Sequence, residues 1–175
     1  VCYASTTGKV NVHTSDGGTE DYQVPRNFRE AKTHRDWPHW EQAMRDEMAS
    51  HAKYQTFRLV KKTDIPRGRR VCRGVWAYAL KRNPVDGTIK RYKARWCVAG
   101  YSQRLNHDYF AAHSNTVRFD SVRLMLALSA ERGMLIDMVD VKCAFLHSSF
   151  EPGVRVYVDQ PAHFEQQAPD GNEMK

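Results

Sequence analysis

Apolar side chains recur with a helical period between residues 37 and 52. From Trp37 onward they appear every three or four residues, which is the spacing of one face of an α-helix. The stripe consists of Trp37, Trp40, Met44, Met48 and Ala52. Asp36 precedes it as an acid able to cap the first turn, and Pro38 suits a first-turn position. The pattern predicts a helix that begins near Asp36 and packs its stripe into the core.

Strand-like patterns follow this helix. Thr56 to Val60 alternates between apolar and polar positions as a half-buried strand does, and residues 71–81 are rich in Val, Trp and Tyr. The turn Pro84-Val85-Asp86-Gly87 then leads into Ile89 to Val98. Asp-Gly between strand-like runs is a hairpin signal. The sequence therefore predicts a projecting hairpin whose tip lies near Gly87.

The second half of the chain again alternates helix and strand. A helix should begin at Asp120 or Ser121 and end at Gly133, and because it is apolar on most faces it should be well buried. Strands should follow over residues 134–141 and 154–158, with a short helix or turn over residues 144–150. Helices interleaved with hairpins favour an α+β fold over a parallel wound sheet.

Composition sets the expected domain organisation. With 41% hydrophobic and 27% charged residues, the chain suits a single folded domain. Residues 1–25 are polar and aperiodic, which predicts a flexible N-terminal segment before a domain over residues 26–175. No apolar run nears the roughly 20 residues that span a bilayer, and no secretory signal is visible. With four scattered cysteines taken as reduced thiols, we expect an intracellular protein, cytoplasmic or nuclear, without membrane contact.

The net charge of +7 is concentrated in one segment. Residues 58–104 hold fourteen Lys and Arg residues against two acids, Asp64 and Asp86. A surface that meets phosphates is expected to carry such an excess, although a solvated, solubilising face would have the same composition. The cations on the arms of the predicted hairpin are Lys81, Arg82, Lys90, Arg91, Lys93 and Arg95.

An acid at the end of a mainly apolar run marks a second candidate site. Asp140 follows residues 135–139, and burying a carboxylate there is costly unless a cation or hydrogen-bond donors meet it. The pattern indicates a metal or a polar cleft, and a capped or salt-bridged acid is the alternative. Asp137 lies three residues earlier, so in a strand its side chain would point to the opposite face, and we assign it no catalytic role.

Several segments follow one another in an order and spacing that resemble a known family. They are Trp40-Glu41-Gln42-Ala43-Met44 with Glu47, Thr56-Phe57-Arg58-Leu59-Val60, the run from Asp86 to Arg95, Gly100-Tyr101-Ser102-Gln103, Asp108-Tyr109, Asp140-Val141-Lys142-Cys143-Ala144-Phe145-Leu146, and Val156-Tyr157 with Gln160-Pro161. Together they span roughly residues 27–164 and resemble the reverse transcriptase domain of copia-type retrotransposons.

The resemblance implies part of a right-hand polymerase, made of the fingers and the start of the palm. It implies that Asp140 is a catalytic carboxylate and a ligand of Mg²⁺, with the Val141 carbonyl as a further contact, in a two-metal nucleotidyl transfer. The implied partners are an RNA template, a DNA primer, dNTPs and the remainder of a polyprotein.

The resemblance also assigns candidate binding residues. Lys93 and Arg95 match its Lys-Ala-Arg motif and would grip nucleotide or template charge, while Phe145 matches a ring placed beneath the sugar. An ordinary core phenylalanine is the alternative for Phe145. Lys81, Lys90 and Arg91 are the further candidates for contacts with nucleic acid.

One apparent match is set aside. Tyr157-Val158-Asp159-Gln160 is similar to the Tyr-Val-Asp-Asp hairpin that supplies the family's other catalytic carboxylates, but it ends in Gln and begins only seventeen residues after Asp140. We interpret Asp159 as structural or solvent-facing. The missing carboxylates would then lie beyond Lys175, and this chain alone should not polymerise DNA. The alternatives are a non-enzymatic nucleic-acid-binding remnant that uses residues 58–104 and a decayed remnant that folds poorly.

Overall fold

The computed structural model describes residues 9–14, 18–104, 116–141, 143–147, 149–150 and 153–167, without the side chain of Phe145. The α-helices there are α1 (Phe28–Lys32), α2 (Trp37–Tyr54) and α3 (Phe119–Glu131), and single 3-10 turns cover Lys62–Asp64, Gly100–Ser102 and Ala144–His147. The strands are β1 (Lys9–His13), β2 (Thr19–Gln23), β3 (Val71–Cys72), β4 (Gly74–Arg82), β5 (Ile89–Val98) and β6 (Tyr157–Val158). The mixture of helices with antiparallel hairpins confirms the α+β prediction at this level.

The predicted helix is present as α2 and carries the centre of the core. Trp40 and Met44 are fully buried, as the apolar stripe requires. The end of the stripe was misplaced, because His51 is buried where Ala52 was expected and Ala52 is exposed. Asp36 precedes the helix, but its side chain makes no capping hydrogen bond.

The hairpin β4–β5 lies on α2. Its strands pair antiparallel from Gly74 opposite Val98 to Lys81 opposite Arg91, with a bulge between Lys81 and Arg82. The ring centroids of Trp40 and Tyr78 are 5.4 Å apart with the planes nearly perpendicular, and the Tyr78 hydroxyl donates to Met44 Sδ at 3.3 Å. Edge-to-face rings and a shared apolar core hold the hairpin against the helix.

The expectation of a flexible N-terminal segment is wrong for most of residues 9–25. β1 and β2 form an antiparallel hairpin, and Val12, Tyr22 and Val24 are buried in the same core as Trp40. Val10 and Tyr22 occupy directly opposite positions in this hairpin. The segment has too few apolar residues to show a clear period, so its order comes from docking onto the rest of the fold.

Residues 56–60, predicted as a strand, contain no regular secondary structure. The short strand β3 instead pairs in parallel with β6, which joins residues distant in sequence. The Asp159 amide donates to the Cys72 carbonyl at 2.9 Å, and Trp76 Nε1 donates to the Ala162 carbonyl at 3.1 Å. Tyr157-Val158-Asp159 is therefore a packed connection beside the hairpin.

The region that contains Asp140 departs most from prediction. α3 begins within two residues of the expected start, but Ser129 is its one buried residue and Leu124, Met125 and Leu126 are more than half exposed. Residues 134–141 form no strand. Leu135 and Met138 are 96% and 98% exposed, so this stretch has no cover among the described residues.

Two smaller expectations also bear on the chain's environment. Cys72 and Cys143 form no disulfide, whereas Cys97 is disulfide-bonded, so the expectation of reduced thiols is wrong for Cys97. Among the described residues, no helix combines the length and apolar character needed to cross a bilayer.

Candidate nucleic-acid and nucleotide surface

The outer face of the β4–β5 hairpin carries a row of positive charge. Side chains alternate between the two faces of a strand, so Arg91, Lys93 and Arg95 share one face of β5 while Tyr92 and Ala94 share the other. Lys81 lies directly opposite Arg91 and joins the same face. We call Lys81, Arg91, Lys93 and Arg95 the cationic row.

Small residues flank the cationic row on β4. Ala77 lies opposite Arg95 and Ala79 lies opposite Lys93, so no bulky neighbour on β4 covers either cation. Arg91 and Arg95 are exposed and Lys93 is half-buried. The row therefore presents three charges at every second residue of one strand, with a fourth across from it.

The structure separates two other cations from this row. Lys90 is the extra residue of the bulge, because Lys81 pairs with Arg91 and Arg82 pairs with Ile89, so it has no partner on β4 and stands outside the regular alternation of the cationic row. Arg82 follows the bulge, and its Nη1 donates to the Asn11 carbonyl at 2.6 Å. Of the six hairpin cations in the sequence, four are brought together.

The charges of the row act on one another. Partial burial and the neighbouring Arg95, Lys81 and Arg91 hold the pKa of Lys93 below its usual range. Clustered like charges of this kind are stabilised when an anion binds among them, because each phosphate contact relieves the repulsion. The surface is suited to polyanions such as nucleic acid or a triphosphate.

Sequence analysis missed a polar pair beneath the hairpin. Burial raises the pKa of Glu47 above its usual range, against the opposing effect of Arg95, the Trp96 amide, Lys93 and Arg91. His51 Nε2 lies 3.7 Å from Glu47 Oε1, and His51 Nδ1 lies 2.6 Å from Thr56 Oγ1. The spacing of Glu47 and His51, four residues apart on one helix, was the available signal.

Asp140 and Val141 are both exposed, and in the sequence they lie far from the hairpin that carries the cationic row. No group of three or more His, Cys, Asp or Glu side chains that could hold a metal occurs among the described residues. Asp140 offers a hard oxygen ligand of the kind that Mg²⁺ prefers, but one exposed carboxylate and one carbonyl do not complete an octahedral site. The residues that the structure describes do not by themselves fit the implied metal centre.

Other motif residues fall outside the described part of the chain. These are Asp108-Tyr109, Lys142 and the side chain of Phe145, so the predicted role of Phe145 stays a prediction.

Comparison with known proteins identifies the family to which this chain is similar. Residues 54–175 match the family model described as reverse transcriptase (RNA-dependent DNA polymerase). The chain is 34% identical over 145 residues to the retrovirus-related Pol polyprotein from transposon TNT 1-94 of Nicotiana tabacum, covering 83% of this chain and 10% of that protein.

Two relatives from Arabidopsis thaliana show the same likeness. The retrovirus-related Pol polyproteins from transposons RE2 and RE1 are 34% and 33% identical over 125 residues, which is 71% of this chain and 8% of each of them. The chain thus spans about a tenth of the length of these curated relatives. No solved structure matches it.

Proposed function

Because the chain belongs to the reverse transcriptase (RNA-dependent DNA polymerase) family, in its copia-type retrotransposon branch, we propose that it forms part of an RNA-directed DNA polymerase. In this proposal it supplies the fingers and the start of the palm of a larger protein, whose partners are an RNA template, a DNA primer and dNTPs. The relatives' names place such domains in Pol polyproteins, which supports a larger context.

The cationic row is the observation that carries the proposal. Lys93 and Arg95 would hold the phosphates of a nucleotide or template by charge-assisted hydrogen bonds, and Arg91 and Lys81 would extend the same track. A guanidinium can contact phosphate oxygens in pairs, so the two arginines would also fix orientation. Lys90 is given a weaker role, because it lies at the bulge, outside the paired part of the hairpin.

Asp140 is the proposed catalytic carboxylate, and with the Val141 carbonyl it would contribute to binding Mg²⁺. The described residues do not complete such a site, so further ligands must come from outside them. We therefore propose that the two-metal nucleotidyl transfer of the family belongs to the longer protein and that this chain by itself is inactive. Phe145 is retained as the proposed contact to the nucleotide sugar.

Primer extension tests the inactivity of the isolated chain. The purified 175-residue protein should extend an RNA-templated DNA primer no faster than a protein-free control, with Mg²⁺ and dNTPs present. Extension above that background, lost on Asp140→Asn, would show that the chain completes a site on its own.

Binding of single-stranded RNA tests the cationic row. Replacing Lys81, Arg91, Lys93 and Arg95 by alanine should abolish most binding of a fluorescein-labelled oligouridine and make the salt dependence shallower. Each lost phosphate contact should reduce the slope of log K against log salt by about 0.7 for a single strand. Fluorescence anisotropy at several salt concentrations measures both quantities.

A matched variant separates this site from net charge. Replacing Arg29, Lys32, Arg45 and Lys53 by alanine removes the same number of charges from α1 and α2, on the other side of the core. Its affinity should fall far less. Equal losses in both variants would show that binding depends on net charge and not on the row, and no loss in the first variant would overturn the proposed function.

A non-enzymatic nucleic-acid-binding protein is the second candidate function. It is favoured by the exposed Asp140, which has no metal-binding neighbours among the described residues. Both candidates predict RNA binding by the cationic row. The coding sequence that follows Lys175 distinguishes the two candidates. A hairpin there that carries further catalytic carboxylates would supply the metal ligands that a polymerase site needs.

A further inference from the structure

The N-terminal hairpin β1–β2 contacts the tip of the hairpin that bears the cationic row. Arg82 Nη1 donates to the Asn11 carbonyl at 2.6 Å, and the His13 amide donates to the Gly87 carbonyl at 3.3 Å. The approach is close, because a Cβ on Gly87 would lie 2.4 Å from His13 Cδ2. Residues 9–23 also precede the stretch matched by the family model, which begins at residue 54.

A second connection runs through the carboxylate of Asp36. Its Oδ2 accepts hydrogen bonds from the Tyr22 hydroxyl at 2.5 Å and from the Tyr92 hydroxyl at 3.2 Å. Burial alone would raise the pKa of Asp36, but these two hydrogen bonds, with Arg35 and His34 nearby, hold it below its usual range. One ionised oxygen thus ties β2, the start of α2 and β5 together.

Tyr92 connects this network to the cationic row. It lies between Arg91 and Lys93 in sequence and points to the opposite face of β5. Its ring stacks on His39 at 4.9 Å and meets Trp40 edge-on at 4.8 Å. The backbone that carries two of the four cations is therefore fixed at the residue between them.

Tyr22 is held from several sides in turn. It is 1% exposed, and Arg35 lies over its ring at 5.3 Å while pairing with Glu20 at 2.6 Å. The Tyr22 and Tyr92 rings meet edge to face at 6.3 Å. These contacts fix the β1–β2 hairpin relative to β5.

We propose that the β1–β2 hairpin is a buttress for the cationic row, in which Tyr22 and Asp36 act as positioning residues for nucleic-acid binding without contacting the ligand. The inference rests on the proposed function. A row of charges binds a phosphate backbone best when its spacing and direction are set in advance. When only a fraction of the molecules holds the row in place, the apparent association constant is the intrinsic constant multiplied by that fraction.

Two single variants test the buttress in the full chain. Tyr22→Phe and Asp36→Asn should each weaken oligouridine binding by about fivefold, if the competent population falls to about one fifth. The slope of affinity against salt should not change, since the same phosphates are contacted. Asp36→Asn raises the net charge by one, so electrostatics alone predicts tighter binding and the buttress predicts weaker binding.

Tyr78→Phe is the matched control. It removes a buried hydroxyl from the same core, but that hydroxyl donates to Met44 Sδ on α2 and not to the Asp36 carboxylate. Affinity should stay within about twofold of the parent. If all three variants lose affinity equally, the effect is general loss of stability, and the buttress is wrong.

Hydrogen exchange and a double variant complete the test. Amide protection over residues 89–98 should fall in Tyr22→Phe at temperatures well below its melting point, while protection in α3 stays unchanged. Adding Tyr22→Phe to Asp36→Ala should weaken binding little beyond Asp36→Ala alone, because the Tyr22 hydroxyl acts through that carboxylate.

The outcomes also separate the two proposals. Loss of binding in the cationic-row variant with parental binding and protection in Tyr22→Phe and Asp36→Asn would overturn the buttress alone. Parental binding in the cationic-row variant would overturn the proposed function.

Discussion

The two parts of the chain that carry the candidate residues differ in how they are packed. The part with the cationic row buries Trp40 and Tyr22 at 0% and 1% exposure, whereas the part with Asp140 leaves Leu135 and Met138 at 96% and 98%. Both parts of the chain contain many apolar residues. The difference shows that apolar character makes a residue available for a core and that an opposing surface is needed to bury it.

The two parts of the chain also differ in the pairing of their backbones. β5 pairs with β4 along one edge, and its inner face packs into the core with α2. Residues 134–141 have no pairing strand in the described parts of the chain. Since an unpaired strand gains little over water, the strand predicted there does not form.

The largest expected contrast is between one core side chain and one exposed side chain. Trp40→Ala should lower the free energy of unfolding by about 3–5 kcal/mol, because it removes a fully buried ring and leaves a cavity. Leu135→Ala should change it by less than about 0.5 kcal/mol. Urea unfolding followed by tryptophan fluorescence and circular dichroism gives both values. A loss above about 2 kcal/mol for Leu135→Ala would mean that the second region is packed after all.

A glycine pair tests the packing of β6 against the hairpin. A Cβ on Gly74 would lie 2.7 Å from Trp96 Nε1 and 3.0 Å from the Asp159 carbonyl, so Gly74→Ala should cost about 1–3 kcal/mol. Gly100 has nothing within 4 Å of the same position, and Gly100→Ala should be nearly neutral. Thermal unfolding compares the two. Equal melting temperatures would show that Gly74 is not closely packed against Trp96 and the Asp159 backbone.

A smaller effect should appear in the pH dependence of stability. Burial lowers the pKa of His51, so below about pH 6.5 the unfolded chain binds a proton that the folded chain does not, and stability falls as pH decreases. Glu47 acts in the opposite sense, since its raised pKa lets the folded state take up a proton first as pH falls. His51→Gln should therefore lose less stability than the parent between pH 7 and pH 5.

Urea unfolding at several pH values tests whether His51 is enclosed by the core. Urea midpoints at several pH values give the free energy of unfolding of both proteins. Parallel curves would show that His51 titrates as it does in the unfolded chain and is not enclosed by the packed region.

The smallest expected change in stability comes from the exposed region itself. Replacing Leu135, Met138 and Val139 by serine should alter the free energy of unfolding by no more than about 0.5 kcal/mol per site, while reducing self-association measured by sedimentation velocity. Val85→Ser, at an isolated position that is 91% exposed, is the control and should leave association unchanged. Strong destabilisation by the triple change would contradict the comparison.

Local patterns predicted the elements near α2 and the β4–β5 hairpin well. The three-to-four-residue stripe located α2, and the Asp-Gly turn with its flanking runs located β4 and β5. The alternation of Arg91, Lys93 and Arg95 could also have placed them on one face, because a strand has a period of two. In these cases neighbours in sequence are neighbours in space.

Patterns failed where the deciding partner is distant in sequence. Asp36 looked like a helix cap, but it accepts hydrogen bonds from Tyr22 and Tyr92, fourteen and fifty-six residues away. The N-terminal residues looked like a tail because their order depends on contacts with Gly87 and Asp36. Residues 134–141 looked like a strand because nothing local indicates the absence of a partner.

The sequence by itself determined the family, the positions of α2 and the β4–β5 hairpin, and the row of charge along β5. Only the tertiary structure decided that β1–β2 packs against that hairpin, that Arg82 turns to the Asn11 carbonyl while Lys90 lies at the bulge, and that Asp140 lies exposed among apolar neighbours. The physical reason is that secondary structure and charge alternation follow from neighbouring residues, whereas burial and long-range hydrogen bonds require two surfaces to meet.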